Sequence, residues 1–238
     1  MKKAAAFVKS FILFVRPGIW AGFLASPLEW FSHIIRLSKW ISQHPVKGLN
    51  DFYSPFRDYG KRYKLYQYLL EIENLKDTCI NYVELGVSAG HSFQWWIKNN
   101  THPDSKFYGF DTFEGLPENW GQFRQGSMAA GIPVVADSRH EFIKGLFQET
   151  LPAFLNQGKI PSSGFKIIHL DADLYSSTLF ALTSLHPYLK SGDILIFDEF
   201  NVPTHEFKAF MNYVDSYYVK YEVITAVNNY FQVAVRVK

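Results

Sequence analysis

The chain has 238 residues, of which 47% are hydrophobic and 18% aromatic, enough for one large α/β domain with an additional segment. Residues 1–50 contain seven Lys or Arg and one Glu (+6), whereas the remainder contains 17 Lys or Arg and 21 Asp or Glu (−4). This asymmetry argues against an enzyme that binds nucleic acid on a basic catalytic face. The single cysteine, Cys79, excludes an intrachain disulfide and indicates a reducing compartment, the cytoplasm; its place before an apolar stretch predicts a buried thiol.

The N-terminal segment is apolar but interrupted. Lys9 and Arg16 break its first apolar run, which leaves no uncharged stretch of about 18 residues, the length of a membrane-spanning helix. The short runs also disfavour a cleaved signal peptide. Lys2, Lys9 and Arg16 recur every seven residues, which places them near one face of a helix. We therefore expect two amphipathic helices, separated by Pro17–Gly18 and Pro27.

Amphipathic helices of this kind have two interpretations at this stage. Either they lie on an anionic bilayer surface, so that the protein is peripheral at the membrane, or they pack on the main domain or pair two subunits as a homo-oligomer. The stretch from His44 to Gly60 is rich in Pro, Gly, Asn and Asp and is interpreted as a linker. The predicted division is an N-terminal helical segment at 1–60 and an α/β domain at 61–238.

Strand and helix patterns alternate after residue 60, as a parallel sheet requires. A helix is predicted from about Lys61 to Asn74, and five strand–helix units follow it. Their strands are INYVEL, KFYGFD, HEFIKG, FKIIHLD and DILIFDE. Two last strands, YEVITA and YFQVAVRV, form a hairpin-like pair around Asn228–Asn229. The pattern predicts a doubly wound, mostly parallel, seven-stranded sheet with an antiparallel terminal strand, the usual layout of Rossmann-like class I methyltransferases.

Acidic residues collect where these strands end. Glu84 closes the first strand and Asp111 the second; Asp171 and Asp173 follow the fourth, and Asp198–Glu199 follows the fifth. Ligands of an open parallel sheet bind beyond the carboxyl ends of its strands, so these acids should converge on one cleft. Because clustered carboxylates repel one another, we expect a metal ion, a cationic ligand or both among them.

The loop after the first strand, VELGVSAGHS, has the features of a cofactor cradle. Gly86 and Gly90 allow a tight turn and a close approach to a ligand. A helix beginning near His91 would direct free N–H groups and the positive end of its dipole at that ligand. Asp111, 27 residues after Glu84, can accept hydrogen bonds from both ribose hydroxyls of a nucleoside.

Two other enzyme classes fit parts of the same loop. Gly86 to Gly90 match G-x-S-x-G, the nucleophile elbow of α/β-hydrolases, with Ser88 as nucleophile and His205 downstream. Hydrolase elbows follow several earlier strands, however, and residues 1–77 show no strand pattern. A dinucleotide dehydrogenase needs G-x-G-x-x-G, which Val87–Ser88 interrupts. We therefore interpret Ser88 as a small residue or hydrogen-bond donor beside a cofactor.

The stretches FDTFEGLP, KGLFQETLP, HLDADLYSSTLFAL and GDILIFDEF resemble the macrocin O-methyltransferase family. The resemblance extends from about Tyr82 to Phe207. It implies a class I enzyme that uses S-adenosylmethionine (SAM) and a divalent metal, usually Mg²⁺, to methylate sugar hydroxyls of natural products.

The resemblance also implies a role for each matching position. Glu84, Gly86 and Gly90 would hold the methionine part of SAM, and Asp111 its ribose. The adenine would lie beside Gly145, Leu146 and Phe147. Metal ligands would be Asp171, Asp198 and Glu199, and Asp173 would be the general base. Three hard oxygen ligands suit Mg²⁺, and a metal-bound hydroxyl is more acidic.

The expected function is therefore metal-dependent O-methylation of a small molecule with adjacent hydroxyls, a sugar or glycosylated metabolite. Two alternatives stay open: a catechol-like acceptor in the same reaction, and a non-catalytic scaffold of the same fold. The Gly-rich stretch from Trp120 to Arg139 shows no strand pattern and is interpreted as a lid.

Overall fold

The computed structural model describes residues 2–161 and 164–238. The strands are β1 (Ile80–Leu85), β2 (Lys106–Asp111), β3 (His140–Lys144), β4 (Phe165–Leu170), β5 (Ile194–Phe197), β6 (Tyr221–Val227) and β7 (Gln232–Val237). The α-helices are α1 (Lys2–Val15), α2 (Pro17–Trp20), α3 (Ala25–Gln43), α4 (Lys61–Ile72), α5 (His91–Asn99), α6 (Phe147–Asn156), α7 (Tyr175–Leu185) and α8 (Glu206–Tyr217). Short 3₁₀ turns cover Gly22–Leu24 and His186–Tyr188.

The seven strands form one sheet in the order β3-β2-β1-β4-β5-β7-β6. Strands β1 to β5 pair in parallel, whereas β7 is antiparallel to both β5 and β6. This confirms the predicted doubly wound sheet with an antiparallel terminal strand. The chain reverses its direction of winding between β1 and β4, which opens a crevice beyond the carboxyl ends of these two strands.

The central strands are apolar on both faces because helices cover both sides of the sheet. Val83 and Leu85 of β1 face the layer that contains α6, α7 and α8, together with the last turns of α3. Tyr82 faces the other layer, which contains α4 and α5. The same alternation continues along β4 and β5 with the period of two that a strand imposes.

The N-terminal helices differ from expectation at one helix breaker. Pro17 begins α2, as predicted, but Pro27 lies inside α3, two residues after its start. Proline is tolerated in a first helical turn because the N–H groups there have no partner within the helix. The predicted break at Pro27 is therefore wrong. Among the described residues, no helix has the length and apolar character needed to cross a membrane.

The last turns of α3 are anchored on the sheet domain. Leu37 and Trp40 are buried, and the Trp40 indole N–H donates to the Tyr221 hydroxyl at 2.7 Å. The Trp40 ring also lies 4.8 Å from that of Phe200. Aromatic packing plus a satisfied indole N–H makes this the principal anchor of the helix.

The stretch from 44 to 60 packs along the β6–β7 hairpin and is hydrogen-bonded to it. Asn229 accepts a hydrogen bond from the Ser54 N–H at 2.7 Å. Asn228 accepts one from the Asp58 N–H at 3.0 Å and donates one to the Asp58 carbonyl at 2.9 Å. These contacts fix the point at which α4 begins.

The single cysteine is a smaller correction. Cys79 is exposed, not buried as expected, because β1 begins one residue later, at Ile80. The apolar pattern that follows it therefore belongs to the strand alone.

Replacing Trp40 by Ala should lower the free energy of unfolding by about 3–5 kcal/mol, the usual cost of truncating a buried Trp. Trp30 in the same helix is 50% exposed, so Trp30→Ala should change stability by no more than about 0.5 kcal/mol. Urea unfolding followed by far-UV circular dichroism measures both. Equal losses in the two variants would show that α3 is not anchored through Trp40.

Candidate active site

A cleft of about 330 Å³ lies beyond the carboxyl ends of β1, β2, β4 and β5. Its wall contains all but one of the site residues predicted from sequence, namely Glu84, Gly86, Ser88, Gly90, Asp111, Leu146, Phe147, Asp171, Asp173, Asp198 and Glu199. The exception is Gly145. The volume falls in the range typical of small-molecule sites.

The glycine-rich loop lies against the neighbouring strand end, and this explains its composition. Gly86 has φ +94°, and a Cβ there would lie 1.9 Å from the Asp171 carbonyl oxygen. Gly90 has φ +77°, and its Cβ would lie 2.6 Å from a side-chain carbon of Pro133. Helix α5 begins directly afterwards, at His91, so the N–H groups of its first turn lie at the cleft.

Asp111 has a structural task that the sequence did not reveal. Its Oδ2 accepts hydrogen bonds from the N–H groups of Val87 (2.8 Å) and Ser88 (2.7 Å). Its Oδ1 accepts one from the Phe113 N–H at 2.7 Å. The carboxylate thus fixes the glycine-rich loop, and one lone pair of Oδ1 is left for a ligand.

Gly145 lies in a neighbouring hollow between residues 112–117 and 144–149. Its N–H donates to the Asp111 carbonyl at 3.0 Å, and φ is +139°. A Cβ at this position would lie 2.8 Å from the Thr150 methyl group. Gly145 therefore turns the chain from β3 into α6, and Leu146 and Phe147 reach the main cleft.

Glu84 is almost completely buried, at 1% exposure. The Tyr82 hydroxyl donates to its Oε2 at 2.5 Å, and the same hydroxyl lies 2.7 Å from Nδ1 of His169. Burial raises the pKa of Glu84 to about 8, despite this hydrogen bond. At neutral pH the side chain is therefore mostly a protonated acid.

The same hydrogen bonds define the state of His169. Because Tyr82 donates to Glu84, its oxygen accepts from Nδ1–H of His169, which leaves Nε2 as an acceptor, 3.4 Å from the Tyr66 hydroxyl. Burial lowers the pKa of His169, so the ring is neutral. Nε2 lies 3.9 Å from Oδ1 of Asp198, too far for a hydrogen bond. His169 nevertheless lies within metal-ligand spacing of Asp171 and Asp198, a role that sequence reasoning did not give it.

A cation from the chain itself lies among the acids. Arg62, at the start of α4, places Nη2 2.7 Å from Oδ2 of Asp198 and Nη1 3.7 Å from Oδ2 of Asp171. Burial alone would lower the pKa of Arg62, but these two carboxylates raise it above the ordinary range. Arg62 is thus a permanent cation in the cleft. Sequence reasoning missed it because nothing in the pattern shows that α4 reaches the rim of the sheet.

Asp173 and Glu199 form an acid pair at the other side of the cleft. Burial raises the pKa of Glu199 to about 9, and the neighbouring Asp173 adds to the effect. Burial raises the pKa of Asp173 only to about 6, because Glu199 hydrogen-bonds to it. Glu199 therefore carries the proton and Asp173 the charge at neutral pH. The backbone at Asp173 is left-handed (φ 56°), a conformation that Asp adopts more readily than most non-glycine residues.

The described residues offer one group with metal-ligand spacing. Ligand atoms of His169, Asp171 and Asp198 lie within 4.8 Å of one another. This group contains two of the three predicted ligands, with His169 in place of Glu199, whose carboxyl group faces Asp173. Oδ1 of Asp198 and Oε2 of Glu199 are buried and have no hydrogen-bond partner among the described residues. Buried acceptors without a partner are costly, so the site fits a divalent cation.

Replacing Arg62 by Met should lower the free energy of unfolding by about 3 kcal/mol at neutral pH, because it leaves the buried Asp198 carboxylate without its partner. Added Mg²⁺ should restore part of this loss if the carboxylates bind it. Lys64, exposed on the same helix, provides the control: Lys64→Met should change stability by no more than about 0.5 kcal/mol. Urea unfolding with and without Mg²⁺ measures these effects, and indistinguishable losses in the two variants would contradict this role of Arg62.

Comparison with known proteins agrees with this architecture. Residues 83–200 match a protein family described as a methyltransferase domain. A Streptomyces olivaceus protein named 8-demethyl-8-(2,3-dimethoxy-alpha-L-rhamnosyl)-tetracenomycin-C 4'-O-methyltransferase is 27% identical over 165 residues. The match covers 60% of this chain and 61% of that relative, so the chain spans about three fifths of the relative's length.

Two solved structures show the same fold. The calicheamicin methyltransferase CalS11 superposes with a TM-score of 0.55 at 20% identity, over 87% of this chain and 91% of its own. The O-methyltransferase NovP gives a TM-score of 0.56 at 21% identity, over 74% and 79% of the two chains. Together with the sheet order, these likenesses show that the chain has the Rossmann-like fold of class I methyltransferases, within which residues 83–200 match the methyltransferase-domain family.

Proposed function

We propose that the protein transfers a methyl group from SAM to a hydroxyl of a sugar or glycosylated small molecule. The observation that carries the proposal is the convergence in one cleft of the glycine-rich loop with Asp111 and the acid group around Asp171 and Asp198. The tetracenomycin relative, whose name specifies an O-methyltransferase acting on a rhamnosyl compound, supports the choice of acceptor. The macrocin O-methyltransferase resemblance points to the same acceptor class.

The loop side of the cleft suits SAM. The first turn of α5, with Gly86, Ser88 and Gly90 before it, offers backbone N–H groups to the methionine carboxylate. Glu84 at the floor suits the methionine ammonium, and the remaining lone pair of Asp111 suits a ribose hydroxyl. Leu146 and Phe147 supply an apolar wall for the adenine, and Gly145 holds the turn behind them.

The acid side of the cleft suits a divalent metal, and we assign Mg²⁺ on the resemblance to the macrocin family. Asp171 and Asp198 would hold it, with His169 or Glu199 as the third ligand. When bound, the cation would lower the pKa of an acceptor hydroxyl. Without the metal, the Arg62 guanidinium neutralises part of the negative charge of Asp171 and Asp198, so these two acids always have a positive partner.

Asp173 would act as the general base. Its raised pKa of about 6 leaves it ionised at neutral pH, yet basic enough to accept a proton from the acceptor hydroxyl. As that proton moves to Asp173, the oxygen bonds to the methyl carbon and the carbon–sulfur bond breaks, leaving S-adenosylhomocysteine. Most of the acceleration comes from holding oxygen and methyl group in line at contact distance.

Other readings of the cleft receive less support. Within the described ranges no hydrogen bond joins Ser88 to a histidine, and His205 instead contacts the N–H of Tyr175, at 3.3 Å. This disfavours the hydrolase. Unpartnered buried oxygens on Asp198 and Glu199 disfavour a mere scaffold, which would gain nothing from that cost. A catechol-like acceptor also presents adjacent hydroxyls and is the alternative within the same reaction.

SAM at about 100 times its Kd should raise the melting temperature by about 5 °C or more, since saturation to that degree adds roughly 2.7 kcal/mol. Incubation with methyl-labelled SAM and a panel of rhamnosylated and catechol acceptors then tests transfer. A protein whose melting temperature is unchanged by SAM would refute the proposal, and methylation of catechols alone would favour the alternative acceptor.

SAM binding near pH 7 should release close to one proton. Glu84 is mostly protonated in the free protein, and the cationic ammonium of SAM would lower its pKa. For the same reason the free protein should lose stability between about pH 4.5 and 8, because over that range the folded state holds a proton that the unfolded state gives up.

Isothermal titration calorimetry in buffers of different ionisation enthalpy counts these protons. The control variant is Glu84→Gln, which keeps the shape and should abolish the release. A binding enthalpy that is the same in every buffer would show that Glu84 does not face the ammonium.

Asp173→Asn should lower kcat by a factor of about 10² to 10⁴ and leave SAM affinity nearly unchanged, because the base acts in the chemical step alone. Asp104→Asn, an exposed position at the opposite end of the strands, is the matched control and should change neither quantity. Calorimetry gives the affinity and labelled methyl transfer gives kcat. Equal losses of binding and turnover would instead mark Asp173 as a structural residue.

A further inference from the structure

The N-terminal arm, residues 2–31, presents a large apolar surface without packing it on the domain. Every residue of α1 is exposed. Phe7, Phe11 and Phe14 are 73%, 58% and 82% exposed, and farther along the arm Trp20 and Phe23 are 63% and 76% exposed. Contiguous apolar surface on this scale marks an interaction site.

A helix in this situation needs a partner to be stable. Helices shorter than about 12–15 residues are marginal in water without tertiary contacts. Helix α1 has 14 residues, and none of them is buried. The missing stabilisation must come from whatever covers its apolar face.

The distribution of side chains around α1 indicates what that partner is. Phe7, Phe11 and Phe14 follow the i, i+4, i+7 spacing of one helix face. Lys2 and Lys9 lie on the opposite face, and Lys3 lies one turn before Phe7, at the N-terminal end of the aromatic face. An aromatic face backed by lysines is the pattern of a helix that lies in the plane of a membrane surface, where the long lysine stems reach the headgroups.

The charge of the arm decides between two possible partners, an anionic bilayer and a second copy of the chain. The arm itself carries Lys2, Lys3, Lys9 and Arg16 against one Glu, so an anionic bilayer complements its charge, whereas a second arm would add more positive charge. The one acid, Glu29, is already paired with Lys208 of α8 at 2.6 Å. That pair and the buried Trp40 fix the base of the arm to the domain. We infer that the arm lies on an anionic lipid surface and holds the methyltransferase domain there.

Co-sedimentation of the full chain with lipid vesicles tests this inference independently of methyl transfer. The probes are vesicles of phosphatidylcholine alone and with about 30 mol% phosphatidylglycerol. We expect binding to the anionic vesicles, weakening as salt is raised, and little binding to the neutral ones. The fluorescence of Trp20 and Trp30 should shift to shorter wavelength on binding.

Two arm variants and one control identify the surface. Phe7→Ser/Phe11→Ser/Phe14→Ser removes the apolar face, and Lys2→Gln/Lys3→Gln/Lys9→Gln removes charge alone. At roughly fivefold in partition for each basic residue, the charge variant should bind on the order of a hundredfold more weakly. Tyr218→Asn changes an aromatic residue that is 88% exposed on the domain, and should bind like the parent.

Contrary outcomes are equally well defined. Absence of binding to anionic vesicles would overturn the inference. A dimer in sedimentation equilibrium that the triple Phe variant abolishes, without vesicle binding, would show that the arm pairs with a second copy. SAM affinity and melting temperature should stay at parent values in both arm variants, which separates a loss of membrane contact from a loss of folding.

Discussion

The structure depends on balancing several carboxylates that one sheet topology brings to a single rim. The reversal of winding between β1 and β4 places Glu84 and Asp171 side by side, and β5 adds Asp198. Each of these groups is wholly or largely shielded from water. Such a cluster is stable only with protons or cations among its members. Here Glu84 and Glu199 keep protons, and Arg62 supplies a fixed positive charge.

Contacts between the β6–β7 hairpin and the 44–60 stretch position the positively charged Arg62. The β6–β7 hairpin presents Asn228 and Asn229 to the 44–60 stretch, and their hydrogen bonds fix where α4 begins. Arg62 is the second residue of α4, and its guanidinium pairs with Asp198. The hairpin also contacts the end of β5 directly, because the Gln232 side chain donates to the Asp198 carbonyl at 3.1 Å. A segment outside the alternating strands and helices thus completes the site.

Local patterns predicted most of the fold and most of the cleft. The strands could be predicted because continuous apolar runs end at glycines and acids, and the parallel topology then brings these acids together. Gly86 could be interpreted without knowing its contact, since a glycine at that point of a loop implies a close backbone approach. The role of Asp111 in holding that loop was not readable, because it depends on N–H groups that the fold turns toward it.

What sequence reasoning missed are contacts between segments far apart in the chain. Arg62 pairs with Asp198, which lies 136 positions later in the chain, and no local sequence pattern predicts a contact at that separation. His169 falls inside a strand pattern, which does not show that its hydrogen bond to Tyr82 leaves Nε2 toward the acids. The pattern at Pro27 predicts a break, but a first helical turn tolerates proline. The first two depend on tertiary context, whereas Pro27 depends on where its helix begins.

The most direct test is a crystal structure with S-adenosylhomocysteine and Mn²⁺, because the anomalous signal of manganese locates the ion independently of the protein density. We expect an anomalous peak between Asp171 and Asp198, with Arg62 displaced from at least one of them, and the nucleoside ribose beside Asp111. A nucleoside bound elsewhere, or an Arg62–Asp198 pair that persists with no peak at saturating Mn²⁺, would contradict it.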